Sequence, residues 1–422
     1  MTPSQKIKSS LKIFVIVLYL SGYGTTSMLY AQSKEVHEHL KTVSPNDYSQ
    51  WENIRGYRLS KDGNWLNYQI NNGDLDNNIF IYNTNTNVKK EIKNADRAIF
   101  SDNSMWIAYT KAMTGKEAKK LKKKKQKEKD KKSKKKPKNI GLINLKTNDT
   151  LEFKDVENFK FSGTESFIAM KRIKDKVNTL IVKNLVNNVE ISFGNVSEYA
   201  WQDKGTLLAF VIKTKDSVGN AIQLYDPNTG NIKVLDHKKA VYQNLKWRKE
   251  SNDLFAIRTV KNKDYKDNSY DLLSWKSLNT KKSSHHVFDP TKYSNFPKDT
   301  RLLSRGISFS EDGNDVFFNT FNWEKEIKKD DSLKKDTVSQ IDKKDVKKQK
   351  DVTADDEAPA VEIWNSKDVV IIPAQKKSRM KDLAKPKLAV WKVTTNKFIL
   401  LEDDLTETIK LQKDNEILIG LD

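Results

Sequence analysis

The sequence predicts an all-β fold, a β-propeller of about seven to eight four-stranded blades, and three observations lead there. A short phrase recurs along the chain: an aromatic residue or leucine, a polar turn of Ser, Asp, Gly or Asn, then an apolar run. A second pattern accompanies it, an apolar strand closed by another turn rich in Asn, Asp or Thr. The phrase starts at residues 59, 100, 161, 201, 247, 309 and 411, giving spacings of 41, 61, 40, 46, 62 and 102. Three spacings match one blade, and the longer three require insertions or a missed copy. A helical solenoid would show a 3.6-residue period between its turns, and none is visible.

The copies justify themselves in order. The first reads Leu59-Ser-Lys-Asp-Gly-Asn-Trp-Leu-Asn-Tyr68 and the second Phe100-Ser-Asp-Asn-Ser-Met-Trp-Ile-Ala-Tyr109. Phe161-Ser-Gly-Thr-Glu-Ser-Phe-Ile-Ala-Met170, Trp201-Gln-Asp-Lys-Gly-Thr-Leu-Leu-Ala-Phe210 and Trp247-Arg-Lys-Glu-Ser-Asn-Asp-Leu-Phe-Ala256 follow. Phe309-Ser-Glu-Asp-Gly-Asn-Asp-Val-Phe-Phe318 keeps the full turn chemistry, and Leu411-Gln-Lys-Asp-Asn-Glu-Ile-Leu-Ile-Gly420 is a degenerate last copy. In each, the aromatic ends a strand with its ring inward, Asp or Asn bonds its own backbone, and Gly accepts a positive φ. The apolar run after the turn reads as a buried strand. Its partner strand and turn appear in residues 78–87, 221–230 and 388–396. The aromatic slot also assigns Trp201 and Trp247 to core packing rather than to a ligand platform.

Two insertions depart from this pattern. Residues 111–138 hold 16 Lys against 3 acids, and residues 324–358 hold 10 Lys against 11 acids with few large apolar side chains. Neither buries enough surface to offset the entropy of ordering its backbone, so both read as disordered, mobile loops. The first supplies +13 of the formal +21 charge. A lysine run without interleaved aromatics is a polyelectrolyte rather than a reader of nucleic acid, and nucleic acid is not expected as a partner.

The N-terminus carries Lys6, Lys8 and Lys12 before an apolar run, Ile13 to Leu20, and a polar stretch leading to Ala31. That order is a secretory signal peptide over residues 1–31, with cleavage near Ala31 and the propeller over 32–422. Its apolar core is too short to span a bilayer, and no other segment approaches that length. The expected location is periplasmic or secreted. The absence of cysteine is compatible with that and removes disulfide and thiol chemistry.

Motifs for chemistry are sparse. No Gly-x-Ser-x-Gly elbow, phosphate-binding glycine loop or carboxylate pair stands out, so no catalytic and no cofactor-binding residue is assigned. His37 with His39, and His285 with His286, are the local histidine clusters; neither shows a third ligand, and no metal is expected. Asp74-Leu-Asp-Asn-Asn78 resembles the start of a calcium loop but lacks the downstream Glu, and hairpin chemistry explains it.

Several features together resemble the N-terminal part of exported prolyl oligopeptidase-family serine peptidases, the dipeptidyl and acylaminoacyl peptidase-like kind common in Bacteroidetes. They are the signal peptide, Tyr48-Ser-Gln-Trp51 before the first repeat, and the Lys-rich insertion after the second. The most specific is Val361-Glu-Ile-Trp-Asn-Ser-Lys-Asp-Val-Val-Ile-Ile-Pro-Ala-Gln375, with Leu388-Ala-Val-Trp391 after it. The resemblance implies a propeller that caps an α/β-hydrolase domain and admits short peptides to it. That domain would perform acyl transfer with a Ser nucleophile, a His base and an orienting Asp.

The chain departs from the family because the hydrolase domain is absent, so no catalytic residue carries over. Its last residues, Ile417 to Asp422, read as a strand inside an unfinished blade, and a truncated product is expected. The glutamate pair that binds a peptide's amino terminus in dipeptidyl peptidases has Glu324 and Glu326, after Trp323, as its nearest candidates, and a solvated loop start is the favoured reading of these two. A stand-alone periplasmic propeller that binds a peptide or an envelope protein is the second reading, and an inactive remnant of a disrupted gene the third.

Overall fold

The computed structural model describes residues 43–72, 77–127, 137–163, 167–325, 385–402, 408–412 and 418–421, with residues 367, 371 and 373–374. The signal-peptide segment, His37, His39, Glu326, Asp422 and most of residues 361–375 lie outside them. The described chain is almost wholly antiparallel β, ordered as consecutive four-stranded units in propeller fashion.

The first unit is β1 (Glu52–Leu59), β2 (Trp65–Asn72), β3 (Asn77–Asn83) and β4 (Lys89–Ile92). The second has β5 (Ala95–Phe100), β6 (Trp106–Lys111), β7 (Lys138–Asn144) and the start of β8 (Thr150–Phe161). The third takes the end of β8, then β9 (Phe167–Lys174), β10 (Val177–Asn184) and β11 (Glu190–Gly194). β8 therefore serves two units: Thr150 to Val156 pair with β7, and Val156 to Phe161 pair with β9. The fourth unit is β12 (Val196–Trp201), β13 (Leu208–Ile212), β14 (Ala221–Asp226) and β15 (Asn231–His237). The fifth is β16 (Tyr242–Trp247), β17 (Leu254–Lys261), β18 (Asn268–Lys276) and β19 (Ser284–Phe288). In the sixth, β20 (Thr300–Leu302) and β21 (Ser308–Phe309) share the first-strand position beside β22 (Asp315–Asn322), followed by β23 (Lys387–Lys392) and β24 (Lys397–Leu400). A hairpin of β25 (Thr408–Leu411) and β26 (Leu418–Leu421) comes last.

The recurring phrase closes the first turn of the units by side-chain chemistry. Ser60 Oγ accepts from Trp65 N at 2.9 Å and donates to Asp62 Oδ1 at 2.6 Å, while Gly63 sits at φ 77°. Ser310, Asp312 and Gly313 repeat this, with 2.9 Å from Asp315 N, 2.6 Å to Asp312 and φ 69°. Donation from the Ser310 hydroxyl and from Asn314 holds the Asp312 carboxyl below its ordinary range. In the second unit Asn103 replaces Asp, and Ser104 takes the left-handed position at φ 55°.

The core lies between consecutive units. Leu254 and Ala256 of β17 pack toward the fourth unit, whereas Phe255 and Ile257 pack toward the sixth. Alternate residues of one strand thus enter opposite clusters, which is why the second strands read as unbroken apolar runs. The aromatic slot ties unit to unit. Trp201 Nε1 donates to Lys160 O at 3.0 Å, and Trp247 Nε1 donates to Ala200 O at 2.9 Å, in each case to the residue just before the preceding unit's slot. Turns link the same way: Asp62 N donates to Ser104 Oγ, and Glu250 N to Asp203 Oδ2, both at 3.2 Å.

Two expectations are corrected. The Lys-rich insertion is not loop throughout, because a helix, α1 (Gly115–Lys127), opens it. Thr114 Oγ1 and the Glu117 carboxylate bond each other's backbone N–H, a reciprocal N-cap that satisfies donors a helix start leaves orphaned. Leu59, expected inward, is 60% exposed, and no β1 side chain enters any of the six buried clusters. Among the described residues the first unit shares its core with the second alone, and no sheet of theirs buries the other side of β1.

Candidate functional site

The long spacings locate the site. The 61-residue gap holds the segment between β6 and β7, and the 102-residue gap holds that between β22 and β23, which pair directly. Both gaps fall in the second-to-third strand connection of their unit. The 62-residue gap is spent after β19, in the connector of residues 289–299, which returns to the same edge of the sheets.

That connector walls a cavity of about 670 Å³ with the end of β17, residues 262 and 263, and Trp323. The volume lies within the range of small-ligand sites. Asp289 caps a 3-10 turn, Pro290–Lys292, accepting from Thr291 N at 3.1 Å and Thr291 Oγ1 at 2.7 Å. Behind it Phe288, fully buried, anchors Tyr293 at 4.4 Å and Phe296 at 6.2 Å between ring centres, which fixes the apolar wall. The mouth is held by Tyr265, stacked on Trp323 at 4.6 Å, and by Arg301, whose Nη2 meets Asp267 at 2.8 Å and whose guanidinium lies over the Trp323 ring.

The floor is charged. Asp271 Oδ2 accepts from Arg258 Nε at 3.0 Å and Nη2 at 2.7 Å, and Arg258 Nη1 donates to Asp236 Oδ2 at 3.0 Å. The Tyr242 hydroxyl donates to the same Asp236 oxygen at 2.7 Å. Burial raises the Asp271 carboxyl above its ordinary range even against Arg258, and the Asp289 charge adds to the rise. Burial and the Asp236 carboxylate push the Tyr242 phenol upward as well. The arrangement is a fixed acidic floor under an aromatic wall, with Lys261, Lys263 and Lys298 around it. Among the described residues that line it, no nucleophile is paired to a base.

The residues singled out in the sequence fall elsewhere. Glu324 pairs with Lys266 across the mouth, and Lys266 N also donates to Glu324 O at 3.0 Å, so this glutamate clamps a loop. His285 stacks on Trp275 at 4.9 Å, and burial lowers its pKa; His286 meets Ser284 Oγ at 3.0 Å. Among the described residues no three His, Asp or Glu side chains gather as metal ligands, and no helix is long and apolar enough to cross a membrane. Trp201 and Trp247 are buried in the core. Sequence reasoning passed over Arg258, Asp271 and Asp236 because nothing local links them. Only the alternation of charged residues within otherwise apolar strands marks them.

No protein-family model and no curated protein matches the sequence. Solved structures do. The acylaminoacyl peptidase of Pyrococcus horikoshii aligns at 12% identity over 65% of this chain and 44% of its own, with a TM-score of 0.34. The β-propeller domain of the trilobed protease from Pyrococcus furiosus, described as having an open velcro topology, aligns at 14% identity over 64% of this chain and 79% of its own, also at 0.34. TolB from Acinetobacter baumannii aligns at 11% identity over 54% of this chain and 52% of its own, at 0.28. The chain thus spans less than half the length of that acylaminoacyl peptidase.

Proposed function

We propose that this chain is the propeller portion of an exported serine peptidase of the prolyl oligopeptidase type, and that it governs which short peptides reach a separate α/β-hydrolase domain. The segment from Val361 to Gln375 and the signal-peptide pattern at residues 1–31 support the family and the export. The observation that carries the gating role is the crowding of one sheet edge. The 670 Å³ cavity, α1 and the connector of residues 289–299 all belong to that edge. The opposite edge carries the tight Ser-Asp-Gly turns. An edge elaborated in this way is where a second domain or a substrate meets a propeller scaffold. A ring of seven or eight blades follows from the same reading.

The test is labelling of the native envelope fraction with a serine-reactive fluorophosphonate, followed by mass analysis of species containing this chain's tryptic peptides. The expected result is a labelled species well above 48.7 kDa. An unlabelled species slightly below 48.7 kDa would refute the peptidase reading and leave a binding propeller.

A further inference from the structure

The second-to-third strand connections carry a repeated charge pattern. Units three, four and five each place two lysines, one residue apart, where that connection begins: Lys174 and Lys176, Lys213 and Lys215, Lys261 and Lys263. All six are exposed, and among the described residues none is ion-paired. In the second unit the same connection opens into α1, with eight lysines and one acid in 13 residues. Among the described residues of these connections in units two to four, the acids are Glu117, Asp175 and Asp216. Glu117 caps α1, and Asp216 is tied into its own turn, accepting from Thr214 Oγ1 at 3.0 Å and Val218 N at 3.2 Å. Lysine and arginine at the opposite edge are neutralised instead: Lys61 meets Asp102 at 3.3 Å, Lys204 meets Glu250 at 2.7 Å, and Arg248 meets Asp253 at 3.0 Å.

Two further features set this edge apart. The first is that α1 stands against its own charge. Lys116 and Lys120, and Lys119 and Lys123, lie four residues apart, a like-charge spacing that destabilises a helix, and 13 residues are marginal for a helix alone. Its cap and the half-buried Ala118 and Leu121 hold it, while Lys116, Lys120 and Lys123 are exposed and meet no carboxylate among the described residues. The second is that bare apolar side chains accompany the lysines. Met113 precedes α1, Val177 follows Lys176 and Val218 follows Lys215; they are 49%, 52% and 57% exposed. Single exposed valines are ordinary, and Val186 and Val189 are such at the turn edge, where the neighbouring Lys183 is paired with Glu190 at 3.8 Å. On the α1 edge, unpaired lysine and exposed apolar side chain coincide in three consecutive units.

We propose that this edge of units two to four is a docking face for an anionic phospholipid bilayer. Lysine is a compact, hydrated point charge that suits phosphate headgroups, and each one near such a surface contributes about fivefold in affinity. The apolar tips enter the headgroup layer beside them. Consecutive units present equivalent connections, so the charges share one edge instead of trailing on a single loop. Nucleic acid would leave the valines unused. The 670 Å³ cavity belongs to units five and six, so this contact leaves it open, and the proposal does not depend on peptidase activity.

Vesicle flotation of the full chain tests it, with phosphatidylcholine vesicles and with vesicles containing about 30% phosphatidylglycerol. Binding to the anionic vesicles is expected, at least about tenfold weaker at about 300 mM salt than at about 50 mM. The helical circular-dichroism signal should rise on binding, as repulsion along α1 is relieved. Lys120→Gln, Lys123→Gln, Lys124→Gln and Lys125→Gln together should weaken binding at least about a hundredfold, and Lys213→Gln with Lys215→Gln at least about tenfold. Val218→Ser should weaken it about threefold. Lys213, Lys215 and Val218 are exposed, so these variants decide the matter if the α1 variant changes the fold. The apolar run from Ile13 to Leu20 is common to all variants, and binding through it would ignore salt and headgroup charge. Equal binding to neutral vesicles, or binding indifferent to Lys213 and Lys215, would overturn the proposal. Displacement from the vesicles by polyglutamate of equal charge would overturn it in favour of an acidic protein.

Discussion

Replacing Arg258 by Met strands two carboxylates in the protein interior, and the structure sets the scale of the loss. The side chains of Arg258, Asp271 and Asp236 are 8%, 8% and 13% exposed, and three bonds of 2.7–3.0 Å join them. Removing one member of a buried ion pair costs about 3–5 kcal/mol, because the partner's desolvation goes uncompensated. Each charged hydrogen bond alone is worth about 1.5–3 kcal/mol, so the sum over three is a ceiling that proton uptake lowers. The pH dependence identifies the mechanism. Asp271 already titrates above its ordinary range through burial, so the folded chain binds this proton more tightly than the unfolded chain. Stability from this group is therefore highest at acid pH, and it falls as pH rises through the folded pKa. Without Arg258 that pKa climbs further, and the window moves up with it. The deficit of Arg258→Met relative to the wild type, read from urea midpoints, should be near 3–5 kcal/mol at pH 8 and shrink at pH 5. Asp271→Asn added to Arg258→Met should recover part of it. A deficit below about 1 kcal/mol, or one that does not change with pH, would show that the network is not what holds the cavity floor.

Three further outcomes follow from the fold. Trp201→Phe keeps an aromatic ring but deletes the bond to Lys160 O, and Trp247→Phe does the same to Ala200 O; each should cost about 1–3 kcal/mol, measured by thermal unfolding, and by similar amounts. Gly306→Ala combines φ 73° with a methyl 2.2 Å from Asn319 Nδ2 and should cost about 2 kcal/mol or more, whereas Gly63→Ala at φ 77° meets nothing within 4 Å and should cost about 1 kcal/mol. Thr114→Ala removes one half of the cap on α1 and should lower local amide protection by about 1 kcal/mol while the global unfolding midpoint stays put.

The turns were legible because their chemistry is local. Ser60, Asp62 and Gly63 satisfy one another within four residues, so the phrase alone specifies their geometry. The Trp slots were legible for the same reason, although the carbonyl each indole reaches lies a whole unit earlier. The helix was missed because lysine density hid a local signal, the Thr114-Gly-Lys-Glu117 cap, which announces a helix start on its own. The cavity floor was not legible at all. Arg258 finds Asp271 13 residues away and Asp236 22 residues away, through strand pairing and sheet stacking that no spacing rule encodes. The register slip in β5 between Asp96 and Ile99 is equally silent in sequence, since Arg97 is not a residue that marks a left-handed position.

The distribution of insertions has a physical cause, and it separates scaffold from working surface. At the edge of the Ser-Asp-Gly turns, side chains lock each turn internally. Several turns are also bonded to the next, as Asp203 is to Glu250 and Arg248 to Glu311 O. Extra residues there would break bonds within two units at once. At the other edge the connections share no single repeated turn, and lengthening a surface loop costs only about 0.6 kcal/mol per doubling. α1, the connector of residues 289–299 and the connection after Trp323 all use that freedom. The zipper of Tyr265, Lys266 and Arg301 against Trp323 and Glu324 then turns loose loops into a shaped mouth over Asp271. Variation in ligand chemistry among propellers of this build should therefore fall on that edge, with the turn edge held constant by its own hydrogen bonds.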